Sequence, residues 1–191
     1  VYYEKYLKNL KEKKINFMEL GSHEGKGLAS FYFYFPHAKM IGANINPFQM
    51  RYNSKRITEL FVDVSSKEIL KSLSNYLDKE LDIIVDDASH NLRDIIIAFS
   101  IFFKKLKKGG IYIIEDINQS EVFKELNPYI NEITPLEIFK KIQRKENFNS
   151  SFVDEETKKY LVDNIKDIKI EKGSMFIKDK NISDIVFIFK K

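Results

Sequence analysis

Apolar and polar positions alternate along the chain with two different periods. Short, nearly continuous apolar runs at residues 15–20, 39–45, 59–64, 81–85 and 111–114 read as buried strands, because a strand covered on both faces loses the in-and-out alternation of a half-exposed one. Between them apolar residues return every three or four positions. That spacing predicts helices over 26 to about 35, 49–56 and 66–77, with Ile95, Phe99, Phe102, Phe103 and Leu106 forming the face of another. Residues 2–13 predict an amphipathic helix at the start, and Pro36 closes the helix before it.

Strands alternating with helices across short turns imply an α/β, doubly wound, mostly parallel sheet. Beyond Asp116 the pattern changes. Polar helical stretches near 132–144 and 154–164 precede strand-like segments at 167–171, 174–178 and 185–189, which read as an antiparallel hairpin added to the sheet edge. No repeat or low-complexity linker divides the chain, so residues 1–191 are expected to form one domain.

Composition narrows the class. With 43% hydrophobic and 31% charged residues the chain has a globular balance, far from that of disorder. It has no cysteine, which excludes disulfides and thiolate metal sites and favours a reducing compartment. No apolar run is long enough to span a bilayer and the first residues lack a signal-peptide layout, so the cytoplasm is the expected location. The net charge of +4 is spread over surface lysines. The run Lys104, Lys105, Lys107, Lys108 before Gly109-Gly110 suits a helix C-terminus better than a nucleic-acid face, and no nucleic-acid partner is expected.

The chemistry lies at the ends of the strands. The fourth strand ends in Asp86-Asp87-Ala88-Ser89-His90 and the fifth in Glu115-Asp116. Parallel sheets keep their ligand sites at those ends, and neighbouring strands lie roughly 4.8 Å apart, so Asp87, Glu115 and Asp116 are expected to converge with His90 beside them. Convergent carboxylates repel unless a hard cation lies between them, and oxygen ligands suit magnesium, with manganese or calcium as alternatives. Asp86 could face a cofactor or cap the following turn. After the first strand, Glu19-Leu20-Gly21-Ser22-His23-Glu24-Gly25 opens a helix with the spacing Gly-x-x-x-Gly. A pyrophosphate fits that spacing poorly and an amino-acid-bearing ligand fits it better, with Glu19 placed to anchor an ammonium group.

These motifs resemble those of the class I S-adenosylmethionine-dependent methyltransferases over roughly residues 15–116. More narrowly, Asp86-Asp87-Ala88-Ser89-His90 with Glu115-Asp116 resembles the Asp-Asp-Gly-Ser-His and Glu-Asp pair of the metal-dependent macrolide-sugar (mycinamicin-type) O-methyltransferases. The resemblance implies a Rossmann-like sheet of seven strands, the closing hairpin supplying the last two. It implies Asp87, Glu115 and Asp116 as metal ligands and His90 as general base. It further implies cofactor contacts from Glu19, Gly21, the turn from Ser22 to Gly25, Asp63 and Val64 at the adenine, and Asn44 at the ribose, where the family carries Asp. Ala88 replaces a family glycine. The implied acceptor is a small molecule, a sugar or nucleotide-linked sugar. The alternative is a catalytically inactive, S-adenosylmethionine-binding partner subunit. The sequence leaves oligomeric state open, a homo-oligomer included.

Overall fold

Helix α1 (Tyr2–Leu7) lies against the face of a sheet whose first five strands alternate with helices: β1 (Asn16–Leu20), α2 (Lys26–Tyr34), β2 (Lys39–Asn44), β3 (Ile57–Phe61), α3 (Lys67–Tyr76), β4 (Leu81–Asp86), α4 (Leu92–Phe102) and β5 (Leu106–Ile114). There follow α5 (Gln119–Val122), α6 (Pro135–Gln143), α7 (Glu155–Asn164), β6 (Ile165–Glu171), a small hairpin of β7 (Phe176–Ile177) and β8 (Lys180–Asn181), and β9 (Ile185–Lys190). This computed structural model describes residues 2–129 and 131–191.

Seven strands form one sheet in the order β3-β2-β1-β4-β5-β9-β6. The first five are parallel, and β9 runs antiparallel between β5 and β6. Strand order reverses between β1 and β4, the crevice where open α/β sheets bind ligands. The apolar runs are continuous because alternate residues serve two cores. Ile83, Val85, Ile111 and Ile113 pack toward α1 and α2, whereas Ile84, Tyr112 and Ile114 pack toward α3, α4 and α6.

Local caps fix the helices. Ser66, Asn91, Thr134 and Asp154 each accept a backbone N–H from the first turn of the helix they precede. Helix α4 is apolar nearly all round because it packs on the sheet and against both α3 and α6.

Four sequence expectations change. The helix over 49–56 is instead a single 3-10 turn, Pro47–Gln49, followed by irregular chain. The Asn46 side chain caps Phe48 N–H, and Arg56 is drawn away to the carbonyls of Tyr32, Phe35 and Ala38 while stacking on the Tyr32 ring. Helix α1 stops at Leu7, and a 3-10 turn continues to Leu10. Strand β5 begins at Leu106, so Lys107 and Lys108 lie on a strand with a register shift opposite Leu81 and Ile83, and Gly109 takes φ +76° there. Segment 174–178 leaves the main sheet for the β7–β8 hairpin.

That hairpin is fastened to the far side of the sheet's carboxyl edge. Asn118 donates to the Asn181 carbonyl and accepts from Asp184 N–H, while Ile117 N–H donates to the Asp184 carbonyl.

Candidate active site

Backbone hydrogen bonds bring the strand ends together. Asp87 N–H donates to Leu20 O and Glu115 N–H to Asp86 O, both at 3.0 Å. Gly21, at φ +85°, lies so close to β4 that an added Cβ would collide with the Asp87 carbonyl. Only glycine combines that φ with that approach. Gly25 also needs a positive φ, 84°, as it opens α2. Ala88 is not among the residues with positive φ, so the turn accepts it where the resembled family carries glycine.

A cavity of about 510 Å³ opens here, and Gly21, His23, Asn44, Ile45, Asp63, Val64, Asp87 and His90 contribute to its wall. Of the sequence-predicted residues, Glu19, Ser22, Gly25, Asp86, Glu115 and Asp116 do not line it. His23, His90 and Asp116 all take positive φ, between 44° and 53°. Left-handed backbone at non-glycine residues is costly and gathers at functional sites.

On the acidic side, ligand atoms of Asp87, His90 and Asp116 lie within 4.8 Å of one another. His90 Nε2 is 3.6 Å from Asp87 Oδ1. Glu115 is outside this set. Glu115 follows Ile113 onto the α1 face, where the Tyr3 hydroxyl donates to its carboxylate. Asp86 follows Ile84 onto the other face, where Tyr112 Oη donates to it at 3.0 Å and Ala88 N–H also reaches it. Glu19 lies under the start of α2, and Leu28 N–H donates to it. Among the described residues, Glu19 Oε2 and Ser22 Oγ are buried without a hydrogen-bond partner.

Electrostatics follow from this crowding. Burial, then the charges of Glu115, Glu19, Asp116 and Asp86, push Asp87 up to about 8. Burial and the Glu115 charge push Glu19 up to about 7, and burial raises Asp86 to about 7 against its Tyr112 bond. Glu115 and Asp116 are also raised, chiefly by burial. Burial lowers His90, opposed by Asp116 and by the Glu115 backbone. Tyr3 is pushed far up by burial and by Glu115, so it remains a donor. Raised carboxyls crowded about Asp87 are a donor set that suits a hard divalent cation.

The other side is quieter. Asn44 donates through Nδ2 to Asn46 O at 3.1 Å and to Gln49 Oε1 at 3.3 Å, which leaves its amide oxygen for a ligand. Asp63 accepts from Ser65 N–H and Oγ. Sequence reasoning missed Tyr3, which bonds Glu115, Gln49, which bonds Asn44, and the Ser89–Asp94 pair in the cavity wall. The amphipathic helix expected over residues 2–13 gave no pointer from Tyr3 to Glu115.

A doubly wound sheet with its site at the switch point, a glycine turn after β1 and acids after β4 and β5 defines a Rossmann-like α/β fold. The chain belongs to the methyltransferase domain family, which it matches over residues 11–173. It is 26% identical over 125 residues to the 8-demethyl-8-alpha-L-rhamnosyl tetracenomycin-C 2'-O-methyltransferase of Streptomyces olivaceus, a match covering 62% of this chain and 32% of that protein. It is 24% identical over 123 residues to the mycinamicin VI 2''-O-methyltransferase of Micromonospora griseorubida, covering 61% and 30%. The chain therefore spans about a third of the length of these curated relatives. In fold it is similar to the mycinamycin-pathway methyltransferase MycE in complex with Mg and SAH, with TM-score 0.73 and 19% identity over 99% of this chain and 48% of that one. No helix among the described residues is long and apolar enough to cross a membrane.

Proposed function

We propose that residues 1–191 act as one cytoplasmic domain that transfers a methyl group from S-adenosylmethionine to a hydroxyl of a sugar or nucleotide-linked sugar, with a divalent cation, magnesium first among candidates. The observation that carries this reading is the packing of Asp87, His90 and Asp116 beside a cavity at the switch point. The relatives named for sugar-linked O-methylation and the Mg and SAH in the MycE complex support it.

The residues fit both groups. The unpartnered Glu19 Oε2 suits an ammonium, and Asn44 with Asp63 and Val64 suits a nucleoside. Asp87, Asp116 and Glu115 would hold the cation, which when bound stabilises negative charge developing on the acceptor oxygen. His90 is the base. Burial keeps its imidazole neutral, so it can accept the hydroxyl proton. As the new C–O bond forms, the C–S bond breaks and its electron pair stays on sulfur, which relieves the sulfonium charge. The wall from Gly21 to His90 orients the two reactants, and orientation supplies much of such a rate.

Titration with S-adenosylhomocysteine, together with methyl transfer from labelled S-adenosylmethionine to a panel of nucleotide-linked sugars with and without chelator, tests the reading. Binding with chelator-sensitive transfer is expected. Full-speed transfer after chelation would remove the metal, and binding without transfer to any acceptor would favour the inactive partner subunit.

A further inference from the structure

The N-terminal helix reaches the reaction centre through one hydroxyl. Tyr3 is half-buried, with its ring edge-on to Phe31 at 5.2 Å and to Phe187 at 5.7 Å. These contacts fix the ring in two dimensions and leave the hydroxyl directed at Glu115. The rest of α1 is fastened elsewhere. Tyr2 Oη donates to Lys172 O, and Lys5 and Tyr6 both bind Glu171 at the end of β6. Tyr3 is thus the one member of this tyrosine group bonded to an acid of the site.

Glu115 would otherwise have two ways to turn. It stands on the face of the sheet shared with Glu19, while its sequence neighbour Asp116 joins Asp87 and His90. A carboxylate with no donor on its outer side would move into the crowded set or away from it. Carboxylates that bind metals are held by outer hydrogen bonds for this reason, and loss of such a partner typically costs about 10–100-fold in metal affinity.

We propose that Tyr3 is a positioning residue for the cation site, its hydroxyl holding Glu115 at the rim of the Asp87–His90–Asp116 set so that the three carboxylates can close on one ion. This rests on the metal-dependent reading above. It makes α1 part of the site rather than a cover for the sheet, and it ties the cation's affinity to the docking of that helix.

Manganese(II) serves as the probe, with affinity read from the electron paramagnetic resonance signal of the free ion in the absence of acceptor. Tyr3→Phe keeps both ring contacts and removes only the hydroxyl; it should weaken manganese binding about 10–100-fold. Tyr6→Phe removes a hydroxyl bond from the same helix to Glu171, away from the site, and should leave affinity unchanged. Asp87→Asn reports on the metal reading itself and should weaken binding strongly. Unchanged affinity in Tyr3→Phe overturns the proposal, as does an equal loss in Tyr6→Phe, which would assign the effect to helix docking alone. If Asp87→Asn binds manganese as well as the wild type, the metal-dependent reading fails and this inference with it. If Asp87→Asn loses binding while Tyr3→Phe retains it, the inference alone fails.

Discussion

The two flanks of the cavity solve opposite problems at the same sheet edge. Beyond β2 and β3, polar side chains are held by local bonds: Asn44 Nδ2 is bonded to Asn46 and Gln49, and Asp63 to Ser65. Beyond β4 and β5, Asp87, Glu115 and Asp116 are buried together, and their carboxyls are held in the protonated direction by burial and by one another. The first flank offers a finished shape to a neutral ligand. The second stores unfavourable electrostatics that a cation would relieve, so chemistry should concentrate there and mutational effects should be unequal.

The largest expected effect is on the acidic flank. His90→Gln should lower the methyl-transfer rate by roughly 10²–10⁴-fold, the usual cost of losing a general base, while manganese affinity stays near wild type. Because His90 Nε2 lies 3.6 Å from Asp87 Oδ1, a parallel collapse of manganese affinity would make His90 a ligand and move the base elsewhere.

A second effect, of a few kcal/mol, appears in stability. Glu19 has its folded value raised from 4.5 to about 7, so the native state binds this proton more tightly than the unfolded chain does. Stability from this group is therefore present below about pH 4.5 and is lost as pH rises toward 7. Glu19→Gln removes that loss. In ligand-free protein its melting temperature relative to wild type should climb by several degrees between pH 5 and 8, at about 2–4 °C per kcal/mol for a domain of this size. A difference that is flat with pH would mean that Glu19 is not strained by its surroundings.

The smallest effect belongs to the quiet flank. Asn44→Ala deletes one hydrogen bond to a ligand, worth about 0.5–1.5 kcal/mol, and should weaken S-adenosylhomocysteine binding by no more than about tenfold in a calorimetric titration. Gln49→Ala, which only frees the Asn44 amide, should cost less than that. A loss of several hundredfold in either would erase the contrast between the flanks.

The sheet was legible in the sequence because its strands are buried on both faces and so appear as unbroken apolar runs, and because Gly21, Gly25 and the acids after β4 and β5 punctuate their ends. The segment after β2 was not legible. Its helical spacing, 49–56, is overridden by two side chains, Asn46 capping a 3-10 turn and Arg56 bonding three carbonyls, none of which is local to it in sequence. Within the site, the sequence placed Asp87, Asp116 and His90 together, as the structure does. It also grouped Glu115 with them; that carboxylate lies outside the tightest cluster, bonded to Tyr3, while its charge still acts on Asp87. Tyr3 was invisible because its partner is 112 residues away.

The position of β9 also governs the order in which this molecule can mature. Strand β5 is completed by pairing Ile111–Ile114 with Val186–Phe189, and the segment carrying Asp116 is bonded to Asp184. A chain emerging from the ribosome exposes the apolar outer edge of β5 until β9 has been made, a long-range closure of the kind that folds slowly and invites edge-to-edge association. Once β9 inserts, the edge disappears and the loop bearing Asp116 is locked in the same step. Competence for chemistry and protection from aggregation thus arrive together, with the pairing of β9.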